Sequence, residues 1–325
     1  MKPEVSVVVA TWQRPQLLEK CLQALLRQRL AAGRYQVIIV TDGLDEASCR
    51  LVRQYRDRGH TQLYCYSLPV KRGPAAARNL GWQMAEAPLV VFTDDDCIPD
   101  PGFLGAYINA YKAYGVARIA FTGKVTVPVS PVPTDYEQNV AQLSSADFIT
   151  ANCACSRTAL VQAGGFDEAF ETAWREDSDL EFKFIDNGIP VYKVEDARVI
   201  HPVRPASWGV SLKEQRKSLY NALLYKKYPS LYRKKISRGP QWRYYGILFC
   251  LLLLVVLAFG HLYTASLVAL GGWAFLTAGF IYKRLRTTSR NFSHVMEMIC
   301  TSLLIPFLSI YWTIYGAVRY KVLFL

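Results

Sequence analysis

Three consecutive carboxylates, Asp94, Asp95 and Asp96, end the apolar run Leu89-Val90-Val91-Phe92. Like charges packed this closely repel one another, and a divalent cation removes the repulsion. Hard oxygen donors suit Mg²⁺ or Mn²⁺. A solvated turn or an Asp helix cap is the alternative, because Asp is common in both. A short apolar run bounded by turn signals reads as a buried strand of a parallel sheet. Open α/β sheets bind ligands beyond the carboxyl ends of such strands, which is where the triplet falls.

The elements that must position these acids are readable on either side. Short β-branched runs at Val5–Ala10, Gln36–Thr41, Leu63–Leu68 and Leu89–Thr93 alternate with helical patterns over Pro15–Arg29, Glu46–Arg58 and Pro74–Glu86. Pro15 suits a first helical turn, and Leu18, Leu22, Leu25 and Leu26 give that helix one apolar face. The alternation predicts a doubly wound, mostly parallel sheet. Strands at Ile119–Gly123 and near Phe148–Ala154 extend it, and a helix over Asp177–Asn187 stops at Gly188 and Pro190.

Beyond this α/β region (residues 1–210) the chain changes character. Residues 211–243 form a basic juxtamembrane segment with ten Lys or Arg between Lys213 and Arg243 and one acid, Glu214. Ser211–Tyr228 reads as an amphipathic helix, either in a membrane interface or on an ordinary surface. Residues 244–325 contain three uncharged runs, Tyr245–Gly260, Thr264–Tyr282 and Met298–Val318. Each is about long enough to cross a bilayer, which predicts a membrane domain of two or three transmembrane helices. The net charge of +12 is concentrated beside these runs. That position favours cytoplasmic loops and anionic lipid over nucleic acid. The start of the chain has no signal-peptide pattern, so the α/β domain is expected in the cytosol. The first two runs then form a hairpin. A third crossing would leave Arg319 and Lys321 outside, against the positive-inside rule, unless Pro306 lets that run kink or re-enter. The eight cysteines have no disulfide spacing and read as reduced, mostly buried thiols.

Five strings in order, VSVVVATWQRP (5–15), QVIIVTDG (36–43), KRGPAAARNLG (71–81), FTDDDCIPDPGFL (92–104) and GGFDEAFETAWREDSDLEFKF (164–184), resemble the family-2 glycosyltransferases. The resemblance covers about residues 4–205 and implies the GT-A fold. It also implies a nucleotide-diphosphate-sugar donor, UDP-linked as the first expectation, and Mn²⁺ or Mg²⁺ bridging its diphosphate to the acids. Asp94 and Asp96 become the DXD motif. Asp96 is the principal metal ligand and Asp94 its partner, while Asp94 and Asp95 contact the ribose or the metal. Asp95 is equally readable as a solvent-facing middle residue. The resemblance gives Asp42 the base edge, with a helix cap as the alternative. It gives Thr11, Arg14 and Arg78 nucleotide contacts, with surface charge as the alternative for the two arginines. In Glu176-Asp177 it makes Asp177 the general base on the acceptor hydroxyl and Glu176 its support. Helix-dipole acids are the other reading of Glu176 and Asp179. Trp174 stacks on a sugar or packs in the core. His201 is a metal ligand or structural.

The implied activity is inverting transfer of one sugar to a lipid or lipid-linked acceptor at the cytosolic membrane face. The alternatives are transfer to a non-lipid polysaccharide precursor and an inactive sugar-nucleotide-binding scaffold. The QxxRW motif of processive synthases is absent, which argues against a polymer-extruding enzyme. A phospholipid nucleotidyltransferase lacks its glycine phosphate loop at Ala10–Arg14.

Overall fold

The computed structural model describes residues 2–324. The chain runs β1 (Val5–Thr11), α1 (Pro15–Leu26), β2 (Tyr35–Thr41), α2 (Glu46–Asp57), β3 (Leu63–Ser67), α3 (Pro74–Gln83), β4 (Leu89–Asp94), β5 (Ile98–Pro99) and α4 (Phe103–Tyr114). It continues through β6 (Ala120–Thr126), α5 (Asp135–Ala141), β7 (Asn152–Ser156), α6 (Arg157–Ala163), α7 (Glu176–Asp186) and β8 (Val191–Ile200). Helices α8 (Val210–Glu214), α9 (Leu219–Lys227), α10 (Pro229–Lys235), α11 (Trp242–Phe259), α12 (Tyr263–Leu285) and α13 (Phe292–Arg319) follow.

Contacts divide the chain into two units. One holds Met1–Pro128 and Ala141–Val203, the other Val129–Val140 and Arg204–Leu325. The sequence-based boundary at 210 kept residues 129–140 in the first domain. Their sequence, VSPVPTDYEQNV, has no period that would assign them elsewhere.

The first unit is built on one eight-stranded sheet of order β3-β2-β1-β4-β7-β6-β8-β5. β3, β2, β1 and β4 are parallel throughout. β7 pairs antiparallel with both β4 and β6, so the sheet is mixed. The Val and Ile residues of β1 and β2 are fully buried, as expected of strands covered on both faces. The α3 helix packs closely on β1 because Gly81 has no side chain. A Cβ there would run into the Val8 side chain. Phe92, Phe166 and Phe184 join the core beneath.

Boundaries differ from the sequence reading where local chemistry is weak. α1 ends at Leu26 and α3 at Gln83, short of Arg29 and Glu86. The strand expected near Phe148–Ala154 starts at Asn152. Phe148 and Ile149 are buried in the turn before it, where the Asn152 N–H donates to the Ile149 carbonyl. The single helix expected over 211–228 is interrupted by a tighter 3₁₀ turn at Gln215–Ser218.

In the second unit, α11, α12 and α13 are each long and apolar enough to cross a membrane. α11 and α12 pair antiparallel. Tyr244 lies 5.3 Å from Phe280 between ring centroids, and Gly272 abuts Cys250. Residues 129–140 are tied to the far end of α12. The Arg284 guanidinium donates to both Asp135 oxygens, at 3.2 and 2.8 Å, and also to Thr301, Ser302 and Ser211. All eight cysteines are free thiols. Four are fully buried and four half-buried.

Candidate active site

The acidic triplet sits at the carboxyl end of β4, beside the end of β1, where Ala10 is in register with Asp94. The three carboxylates face different partners. Asp95 is turned inward and 1% exposed; it accepts from Thr11 Oγ1 at 2.6 Å and pairs with Arg14 at 3.1 Å. The solvent-facing reading of Asp95 is thus overturned, because the loop after β1 covers it. Burial pushes its carboxyl up to about 6, more than Arg14 and Thr11 pull it down. Asp94 pairs with Arg78 at 2.8 Å. Burial pushes Asp94 up, but the charge and hydrogen bond of Arg78, with the nearby His201 and Arg14, together outweigh it and hold the carboxyl below its ordinary value.

Arg78 projects from α3 and also pairs with Glu176 at 3.0 Å. Its side chain is 4% exposed, so the surface-charge reading fails for it. Arg78 therefore joins the acids of β4 to the acids that open α7. Glu176 is held at about 7 by burial and then by the neighbouring Asp177 charge, against the pull of Arg78. Its second oxygen, Oε2, has no hydrogen-bond partner among the described residues. Asp177 is half-buried, and its Oδ1 accepts from the Ser178 N–H at 2.6 Å. Burial raises it above the ordinary carboxylate value.

Ligand atoms from Asp94, Asp96, Cys97 and His201 all lie within 4.8 Å of one another. His201 comes from the end of β8, where its N–H donates to the Thr126 carbonyl at 2.9 Å. Its Nε2 is 3.6 Å from Asp96 Oδ1. Its Nδ1 is buried without a partner among the described residues. Two carboxylates and an imidazole form a donor set that fits Mn²⁺ or Mg²⁺, and the unpartnered ring nitrogen leaves a lone pair or proton to be satisfied. Sequence reasoning missed Cys97, whose thiol falls in this group because it follows the triplet directly.

Asp42, after β2, accepts from the backbone N–H groups of Arg72 and Gly73 at 2.7 to 3.0 Å. It thereby pins the loop before α3. The cap of α2 is Asp45, which accepts from the Ser48 N–H, so the helix-cap reading of Asp42 is corrected. Gly73 has φ +97°, and a Cβ there would collide with the Glu171 carbonyl. Beside this loop Lys71 Nζ lies 4.9 Å from the Trp12 ring, and Trp12 covers Gly43. These cleft residues lay within the quoted strings, but their side chains gave no separate signal. Trp174 is 36% exposed, which removes the core reading. The Arg175 guanidinium covers one ring face at 4.6 Å.

Residues 6–162 match the family described as Glycosyl transferase family 2. The chain is 25% identical over 250 residues to validoxylamine A glucosyltransferase of Streptomyces hygroscopicus subsp. jinggangensis, covering 66% of this chain and 56% of the relative. It is 25% identical over 276 residues to chondroitin synthase of Escherichia coli, covering 71% of this chain and 39% of the relative. The chain thus spans about half or less of the length of these relatives. Among solved structures, a mannosyltransferase from Pyrobaculum calidifontis in complex with GDP-Man and Mn²⁺ superposes with a TM-score of 0.55 at 18% identity, over 99% of this chain and 88% of that one. The acids at the strand ends, the mixed sheet beneath them and the family match agree: the chain has the GT-A fold, and its residues 6–162 match the family 2 glycosyl transferases.

Proposed function

We propose that the protein is a membrane-bound, metal-dependent, inverting glycosyltransferase. It moves one sugar from a nucleotide-diphosphate sugar to a lipid or lipid-linked acceptor at the cytosolic membrane face. The observation that carries the reading is the Asp94–Arg78–Glu176 chain of ion pairs, which holds the metal-type acids and the base-type acids in one constellation. The apolar helices of the second unit support a membrane acceptor.

Asp94, Asp96 and His201 would hold Mn²⁺ or Mg²⁺. The ion supplies charge neutralisation for the departing diphosphate. Asp42, Thr11, Arg14 and Asp95 line the nucleotide side. In this reading Asp42 keeps the 72–73 backbone in place while offering its edge to a base N–H. Trp174, 36% exposed, offers its indole to a sugar. Asp177 takes the acceptor proton as the hydroxyl attacks the anomeric carbon opposite the diphosphate, which inverts the configuration. Its raised carboxyl is a stronger base than an ordinary aspartate. Glu176, held by Arg78, keeps the start of α7 in position.

The test is lipid mass spectrometry on membranes carrying the protein, incubated with UDP- and GDP-linked sugars and Mn²⁺ or Mg²⁺. A sugar-sized mass gain in a lipid fraction is expected. No gain across the panel, in membranes where the protein binds nucleotide, would sink the lipid-acceptor reading. Asp177→Asn should lower turnover about 10²–10⁴-fold, the range for a lost general base, while leaving nucleotide binding intact. Retained turnover would remove Asp177 from that role.

A further inference from the structure

We propose that α13 lies in the plane of the membrane surface rather than crossing the bilayer, so that only the α11–α12 hairpin spans it. This rests on the helical unit alone and is independent of the catalytic reading.

Length alone does not decide how α13 sits, because a long helix can cross a bilayer by tilting. Its 28 residues extend about 42 Å, against a hydrocarbon core of about 30 Å. Its surroundings are more decisive. Glu297 Oε1 accepts from the Gly209 N–H at 2.7 Å. Further along, the Arg216 guanidinium lies 5.8 Å from the Trp312 ring centroid. A Cβ on Gly316 would fall 2.6 Å from the Leu219 carbonyl oxygen. Beyond the helix, Phe324 packs 5.2 Å from Tyr225 and 5.4 Å from Tyr232 between ring centroids. The 209–227 segment therefore accompanies α13 in the same direction along most of its length. That companion carries Lys213, Glu214, Arg216, Lys217, Lys226 and Lys227. Standing α13 across the bilayer would carry those charges to hydrocarbon depth, where ionised side chains are costly and rare.

The Arg284 knot gives the same answer. The end of α12 is marked by the exposed cations Lys283 and Arg286. A helix descending beside α12 from the 286–291 turn would bring Thr301 level with the apolar middle of α12, near Thr277. Instead Thr301 and Ser302, about 14 Å into α13, bond to Arg284 at 2.7 and 2.9 Å. α13 thus runs across the charged end of the hairpin.

Its faces suit that position. Met298, Ser302, Ile305, Ser309 and Gly316 form the buried stripe, while Leu303, Phe307, Tyr311, Ile314 and Val318 form an exposed apolar one. In its apolar stretch 39% of residues are buried, against 6% in α11. An apolar stripe bordered by exposed Lys213, Arg216, Arg286 and Arg290 complements the boundary between anionic headgroups and acyl chains. Arg319 and Lys321 then share a side with the other cations, and the conflict with the positive-inside rule disappears.

The test uses the full chain in vesicles of known orientation, with a membrane-impermeant maleimide and the unsubstituted chain as blank. Arg290→Cys and Leu323→Cys should be labelled from one side and Leu262→Cys, at the hairpin tip, from the other. Labelling of Leu323→Cys from the Leu262 side overturns the proposal. A second measurement places a fluorophore at Phe307→Cys or Val318→Cys and compares headgroup-level with mid-chain nitroxide lipids. Stronger shallow quenching at both positions is expected. Deeper quenching at Phe307 than at Val318 marks a re-entrant helix and overturns the proposal, even with Leu323 on the expected side.

Discussion

Replacing Arg78 by methionine keeps about the length of the α3 side chain and removes the charge that pairs with both Asp94 and Glu176. Breaking a buried ion pair by removing one partner costs about 3–5 kcal/mol, because the other charge stays buried and uncompensated. Arg78 and Glu176 are each 4% exposed, but Asp94 is 30% exposed and is partly screened by solvent, so the lower end applies. At about 3 kcal/mol, and roughly 2–4 °C per kcal/mol for a unit of this size, Arg78→Met should lower Tm by about 6–12 °C near pH 8. The pH dependence identifies the cause. In the parent chain Arg78 holds Asp94 below its ordinary value and limits the rise of Glu176. Without it both carboxyls titrate higher than in the parent chain, so the variant's folded form binds more protons and its deficit grows as pH rises. The deficit should therefore shrink as pH falls from 8 toward 5. Adding Glu176→Gln removes one of the stranded charges and should recover about 1–2 kcal/mol in a double-mutant cycle. Thermal scans of the detergent-solubilised chain measure both. An equal deficit at pH 5 and 8, or a double variant no more stable than Arg78→Met, would refute the reasoning and leave lost packing as the cause.

The other expectations are simpler. Asp95, raised to about 6 in the folded chain from an ordinary value of 3.8, binds excess protons between those values. Stability therefore falls as pH rises through that window, and Asp95→Asn should flatten this slope in Tm measured from pH 4 to 7. His201→Ala should weaken Mn²⁺ binding about tenfold or more, read by the paramagnetic signal of free Mn²⁺, with the fold intact by circular dichroism. Unchanged binding would take His201 out of the metal site. Gly73→Ala forces a side chain into a positive-φ position against the Glu171 carbonyl and should cost roughly 1–3 kcal/mol. Nucleotide affinity should fall with it, because Asp42 loses its grip on the 72–73 backbone.

Much of the sheet was legible because β1, β2 and β4 are continuous apolar runs, and the triplet marks where one of them ends. What sequence could not supply depends on distant partners. Whether Asp95 faces inward is decided by Thr11, 84 residues earlier. Arg78 was expected at the nucleotide. Its recorded partners, Asp94 and Glu176, lie 16 and 98 residues away, and only the folded sheet brings them together. The break at Gln215–Ser218 carries no Gly or Pro to announce it. Hydropathy marks α13 as apolar but not the direction of its axis, which depends on the charged segment beside it.

The grouping of residues 129–140 with the later helices bears on how the chain is made. Asp135 is translated 149 residues before Arg284, the side chain that ties it down. During synthesis this strand-to-strand excursion emerges from the ribosome and must wait, undocked, until α12 and the start of α13 have been made. The sheet can close around it, since β7 and β8 follow directly, but residues 129–140 cannot settle until α12 and α13 exist. Docking of residues 129–140 therefore finishes only after the later helices that hold them have been made. A ribosome stalled before residue 284 would release a chain with its sheet closed and this excursion still loose.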